Sequence, residues 1–186
     1  MCWITAETLP LSGYRKEIEN TCISRGISKE EIFIRKTEQT SRKGGIYMKR
    51  YMNTALLYAV LAMAGGIFYR EFTKFNHFTA KTALGVVHTH YFLLGMVFFL
   101  LLLLLEKNFS FTGVKTGRIL AVYHIGLNLT AVMLVVRGVF QVLEAPLSSA
   151  MNAAISGIAA IGHILLGVSL LLLLVQVKRC ITKTQS

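Results

Sequence analysis

What this chain has little of decides its class. Its 186 residues carry only nine acidic side chains against twenty Lys and Arg, a formal net charge of +11. Four long stretches carry no such charge at all. No Asp, Glu, Lys or Arg occurs from Tyr51 to Tyr69, Thr82 to Leu105, Ile119 to Val136 or Ala145 to Val177. A helix rises about 1.5 Å per residue, so a hydrocarbon layer about 30 Å thick needs around 20 residues. Each stretch meets or nearly meets that length, and no soluble core calls for four in a row. Backbone amides in lipid leave only helices or closed barrels. The runs are continuously apolar instead of alternating, which excludes the barrel. The expected fold is all-α: a four-helix transmembrane bundle with spans of about 51–69, 83–105, 118–143 and 149–177.

Cysteine is also scarce. Cys2, Cys22 and Cys180 show no CxxC spacing, and the absence of CxxCH excludes c-type haem. In a reducing compartment they stay thiols with no assigned role. No basic stripe is interleaved with exposed aromatics, so nucleic acid is not an expected partner; the lipid bilayer is. The positive charges flank the spans instead. Lys49, Arg50, Lys107, Lys115, Arg118, Lys178, Arg179 and Lys183 fall on one side, and Arg70, Lys74 and Lys81 on the other, eight against three. The positive-inside tendency then places both termini in the cytoplasm of a multi-pass protein of the bacterial inner membrane.

Residues 1–47 are a different kind of sequence, with six of the nine acids, eight of the twenty bases and no run long enough to span. They lack the charged start, apolar middle and cleavage site of a signal peptide. Ser28 to Glu31 has the form of a capping box that would open a short helix through Ile34. The segment reads either as a polar, disordered tail or as a translated leader. The second reading comes from the genetic code: Lys43-Gly44-Gly45 can be written by the purine-rich codons of a ribosome-binding sequence just before Met48. Residues 48–186 would then be the four-span membrane domain, beginning Met48-Lys49-Arg50.

Histidine inside the spans is the chemical signal. Ionisable groups at membrane depth are costly and mark functional candidates. The second span holds His88 and His90, the third His124 and the fourth His163. At 100° per residue His88 and His90 lie about 200° apart, so at most one faces the bundle interior with His163. His88 and His90 lie about 9 and 12 Å below the start of their span, and His163 roughly 15–20 Å below the same side. His124 sits near the opposite membrane face, too far to join them. On the third span His124, Asn128, Ala131, Val135 and Gly138 form a polar-to-small stripe, expected to face inward. On the fourth, Ser156, Ala159, Ala160, His163 and Gly167 share one face, suited either to tight packing or to a flat ligand. Arg137 is close enough to the outer end to snorkel, or to meet an anion in the bundle. Gly65-Gly66 in the first span is expected to serve close helix packing.

Two imidazoles on facing helices are the arrangement that ligates haem in bundle cores. The candidate ligands are His163 with His88 or His90, and Arg137 would meet the propionates. The same histidines could hold copper. Four-coordinate zinc fits less well, because no intramembrane carboxylate or cysteine completes a set.

The segment from Met48 to about Lys178 resembles a family of small uncharacterised bacterial membrane proteins, a domain of unknown function found mainly in Firmicutes. The residues carrying the likeness are Phe68-Tyr69-Arg70-Glu71-Phe72, His88-Thr89-His90 through Met96, Tyr123-His124-Ile125-Gly126-Leu127-Asn128 and Gly162-His163-Ile164-Leu165-Leu166-Gly167. Within one helix, His88-x-His90 followed by Leu94-Gly95 is similar to the corresponding helix of NnrS-like and haem–copper-oxidase-related membrane proteins. That likeness implies haem b or copper held by intramembrane histidines. Those relatives have many spans where this chain has four, so their oxygen and nitric oxide chemistry does not carry over.

Three functions compete. The first is a haem- or metal-binding membrane protein for electron transfer, sensing or cofactor handling. The second is a non-catalytic accessory or scaffold subunit, in a homo-oligomer or larger membrane complex, whose histidines only tie helices together. The third is a small proton-coupled transporter, disfavoured by the absence of an inverted repeat or an intramembrane acid.

Overall fold

The computed structural model describes residues 28–185. It is helical throughout, with no strand among the described residues. Cys2, Cys22 and most of the N-terminal segment lie outside them. The chain divides into two units, Met1–Lys43 and Gly44–Ser186. The second contains four helices long and apolar enough to cross a membrane: Gly44–Phe75, Leu84–Phe109, Val114–Val142 and Ser149–Thr182. The protein is a four-helix multi-pass membrane protein.

The first crossing belongs to α1 (Lys29–Phe75). Ser28 caps it, its Oγ accepting from the Glu31 amide at 3.1 Å. The expected short helix through Ile34 is therefore the opening of a 47-residue one. The second crossing is three pieces in continuous succession: α2 (Leu84–His90), a π-helical stretch (Tyr91–Val97) and α3 (Phe98–Phe109). The third is α4 (Val114–Val142) and the fourth α5 (Ser149–Gln185). A non-glycine residue in the left-handed region stands in each connection: His77, Ser110 and Glu144, with φ between 44° and 52°. Each lies just past the end of its helix, where a left-handed residue turns the chain out of the helical path.

Helix α4 is the most enclosed crossing, with 33% of its apolar window buried against 22% for the other three. Small residues set its packing on α5. A Cβ on Gly126 would come within 2.7 Å of the Leu166 amide nitrogen, and one on Gly162 within 2.7 Å of Thr130 Oγ1. In lipid, where burying apolar surface drives helices together no better than lipid tails do, such backbone approach is what holds helices together. Gly138 is equally tight against Leu84 of α2, and Gly95 of the π-helical stretch against the Tyr58 ring. Gly65 and Gly66 meet Val87 and His88 at ordinary contact distance, 3.6–3.9 Å. The glycine pair packs α1 on α2, as expected.

The core joins Tyr51, Ala55 and Tyr58 of α1 to Phe99 and Leu102 of α3, Tyr123 and Leu127 of α4, and Leu166, Leu173 and Val177 of α5. Outward, Leu57, Val60, Met63, Ile67, Leu93, Ile125, Ile164 and Leu171 are exposed, as residues facing lipid should be.

Candidate functional site in the membrane bundle

The π-helical stretch starts one residue after His90. A π-turn leaves backbone carbonyls out of the usual ladder, and such turns often accompany function. Within it the Leu94 carbonyl accepts from the Tyr123 hydroxyl at 2.7 Å. Tyr123 is fully buried, so the distortion is held by a rigid side chain from the central helix.

Histidines 88 and 90 separate as their spacing requires. His88 lies against the glycine pair of α1, and its Nδ1 is buried with no hydrogen-bond partner among the described residues. His90 points the other way, toward α5, where its ring centre lies 6.1 Å from that of His163 with the planes 89° apart. Both rings of this pair are held alike. His90 Nδ1 bonds the Val86 carbonyl at 2.9 Å, and His163 Nδ1 bonds the Ala159 carbonyl at 2.8 Å. A carbonyl can only accept, so each Nδ1 carries a proton, and the lone pair of the neutral form falls on Nε2. A backbone carbonyl fixing the tautomer in this way is the usual support behind a metal-ligating imidazole.

The surroundings of the pair are open. His163 is exposed and His90 half-buried. The small-residue face carrying His163 is not the face that packs on α4; that role falls to Gly162, Leu166, Ser169 and Leu173, one step around the helix. Nothing lies within 4 Å of where a Cβ on Gly167 would stand. Within one chain this face does not pack tightly on its neighbours. Nearer the Pro146 end of α5, Arg137 donates through Nη2 to Ser156 Oγ at 2.6 Å and Asn152 Oδ1 at 3.2 Å. The guanidinium ties α4 to α5 on the helix face that carries His163, seven residues from it and so about 10 Å along the axis.

His124 belongs elsewhere. Its Nδ1 is 2.6 Å from the Tyr58 hydroxyl, and its ring stacks on Phe99 with centres 4.9 Å apart and planes at 11°. Asn128, one turn on, donates to the His124 carbonyl at 2.8 Å and to Tyr58 Oη at 3.2 Å, and accepts from Tyr91 Oη at 3.1 Å. Of the third-span stripe, Ala131 and Gly138 are buried and His124 and Asn128 face these inward partners.

A second cluster closes the Lys107 end. Glu106 is 3% exposed, and its Oε2 accepts from the Thr112 amide at 2.9 Å and hydroxyl at 2.6 Å. Tyr51 Oη donates to the same Thr112 hydroxyl at 2.6 Å. Fully buried Thr116 accepts from the Gly113 amide and from Gln176 Nε2, and donates to the Phe111 carbonyl. Neither cluster was foreseen from the sequence. The available signal was the helical spacing of Tyr51, Ala55, Tyr58 and Ala62, all of them buried.

Among the described residues no three His, Cys, Asp or Glu come together as a metal site. A four-coordinate zinc has no set to sit in. The structure does bring His90 and His163 together as a pair of rings. Residues 48–180 match a family model described as a protein of unknown function, DUF2871. The chain belongs to this family. The match covers all four crossings and both polar clusters, and it opens at Met48. No curated protein and no solved structure matches the chain.

Proposed function

We propose that the His90–His163 pair is the functional centre, and that it binds haem b or a copper ion between the second and fourth spans. The observation that carries this reading is the matched geometry of the two rings. An imidazole nitrogen sits about 2 Å from its metal and the ring centre about 1 Å behind it, so two rings facing across one ion have centres about 6 Å apart. The observed ring centres are 6.1 Å apart, which gives that spacing once the two Nε2 atoms turn toward each other. The 89° between planes costs nothing, because a ring turns freely about its bond to the metal. Both Nδ1 atoms are committed to carbonyls, which leaves both Nε2 lone pairs for a ligand. The open space beside Gly167 and the guanidinium of Arg137 suit a flat macrocycle with carboxylate substituents. Bound there, such a centre would supply one-electron chemistry or a gas-binding iron, for electron transfer, sensing or cofactor handling. The likeness of the His88-x-His90 helix to NnrS-like proteins points the same way.

The reading extends to placement. The eight-to-three distribution of Lys and Arg orients both termini to the cytoplasm of a bacterial inner membrane. The histidine pair then lies toward the outer leaflet.

The competing reading is an accessory or scaffold subunit, in which the polar groove of Arg137, Asn152, Ser156 and His163 is covered by a second copy or a partner. Exposure of His163 at membrane depth favours some cover. The test is an optical spectrum and elemental analysis of protein purified from membranes supplied with haem and copper. The proposal expects a Soret band or about one equivalent of copper per chain. A colourless, metal-free protein that purifies as a stable oligomer would sink it in favour of the scaffold.

A further inference from the structure

The bundle holds a second site that the histidine pair does not use. A cavity of about 160 Å³ lies between Tyr47, Arg50, Tyr51, Phe99, Thr112 and His124, at the end of the bundle opposite the pair. Its volume is close to that of a roughly 150 Å³ protein cavity that takes up benzene.

The hydrogen bonds fix what this cavity offers. Asn128 donates to the His124 carbonyl, which sets its amide orientation, and its other bond gives a proton to Tyr58 Oη. Giving the single Tyr58 proton to His124 Nδ1 is the arrangement that leaves neither group without a partner. In that tautomer the neutral His124 ring carries its hydrogen on Nε2, on a residue that lines the cavity. The Tyr51 proton is spent on Thr112 and the Thr112 proton on Glu106. Arg50 is the only charged side chain in the lining. Glu106 stands behind Thr112, outside the lining. A single cationic side chain in the lining suits a guest with one negative charge. The walls are the rings of Tyr47, Tyr51 and Phe99.

We propose that this cavity binds a small planar monocarboxylate, its carboxylate held by Arg50 and His124 Nε2–H and its apolar body between the aromatic walls. A guanidinium and an imidazole N–H are suited to the two oxygens of one carboxylate.

The test uses the full chain in nanodiscs of zwitterionic lipid, titrated calorimetrically with benzoate as the probe. Saturable binding is expected, with benzyl alcohol, the same body without the charge, about tenfold weaker or worse. Arg50→Gln should cost about tenfold in benzoate affinity, whereas Lys115→Gln, a lysine at the same end but outside the cavity, should cost nothing. Arg50 is exposed, so its replacement should leave the fold in place; circular dichroism checks this. His124→Phe gives a second reading of the same site. Four results overturn the proposal. They are no saturable binding, equal binding of benzyl alcohol, benzoate affinity indifferent to both Arg50→Gln and His124→Phe, or displacement of benzoate by phosphatidylglycerol in the disc, which would give the cavity to a lipid headgroup.

Discussion

The His90–His163 pair and the His124 cluster are built from the same residue type in the same bundle, yet they are finished differently. Around His124 the side-chain bonds close on themselves: Tyr91 gives to Asn128, Asn128 to Tyr58 and the His124 carbonyl, and Tyr58 to His124. Such a network, packed between Phe99 and the first span, fixes how α1 sits on α4. At the pair, each ring makes one bond to its own helix, four residues back, and none across to the neighbouring helix. Bonds of that kind orient a side chain without joining helices. The Tyr58–Asn128–His124 bonds therefore bear on stability, whereas the bonds of the pair join no helices.

Several substitutions break or sharpen this contrast. The largest effect is expected where two backbones touch. Gly126→Leu would drive a side chain into the Leu166 amide and should cost about 3 kcal/mol or more, read as loss of folded protein in a detergent unfolding titration. Tyr58→Phe removes the hydroxyl shared by His124 and Asn128 and leaves both short of a partner. Its expected cost is about 1–3 kcal/mol in the same titration. His163→Gln, on an exposed residue whose one bond is to its own helix, should shift stability by no more than about 0.5 kcal/mol. A cost at His163 as large as that at Tyr58 would erase the distinction between the two sites. The smallest effect is expected from deleting residues 1–47. The family match opens at Met48, and the four crossings have their packing surfaces within Gly44–Ser186. Insertion and melting temperature should be unchanged, and intact-mass measurement of chromosomally expressed protein separates the leader reading, which gives the mass of residues 48–186, from the tail reading, which gives that of the full chain. Recovery of peptides from the Ser12–Lys36 region at the abundance of those from the body would contradict the leader reading.

The crossings were legible because charge at membrane depth is so costly that its absence alone marks them; the ends moved by only a few residues, except where α1 and α5 run on past the membrane. Depth arithmetic set His124 apart and allowed His88 or His90 to come level with His163. Which one was not legible, since an i, i+2 spacing says the rings diverge without saying which side faces α5. The π-helical stretch had no signature either, and the Tyr123 bond to its Leu94 carbonyl is a contact between distant parts of the chain. The small-residue face of α5 could be read as packing or as space. Gly126 decided it by presenting its backbone to Gly162 and Leu166, leaving His163 outside. Tyr51 and Tyr58 passed as members of an apolar run, although their hydroxyls anchor the two buried networks.

The central claim, that the open pair and not the closed cluster holds the cofactor, is tested most directly by one panel. Wild type and His88→Ala, His90→Ala, His124→Ala and His163→Ala variants would be purified from haem- and copper-supplied membranes and compared for Soret absorbance and bound metal per chain. The pair predicts that loss of His90 or His163 abolishes the signal, whereas loss of His88 or His124 leaves it in whatever protein remains folded. Retention of haem or copper by the His90→Ala and His163→Ala proteins would contradict it.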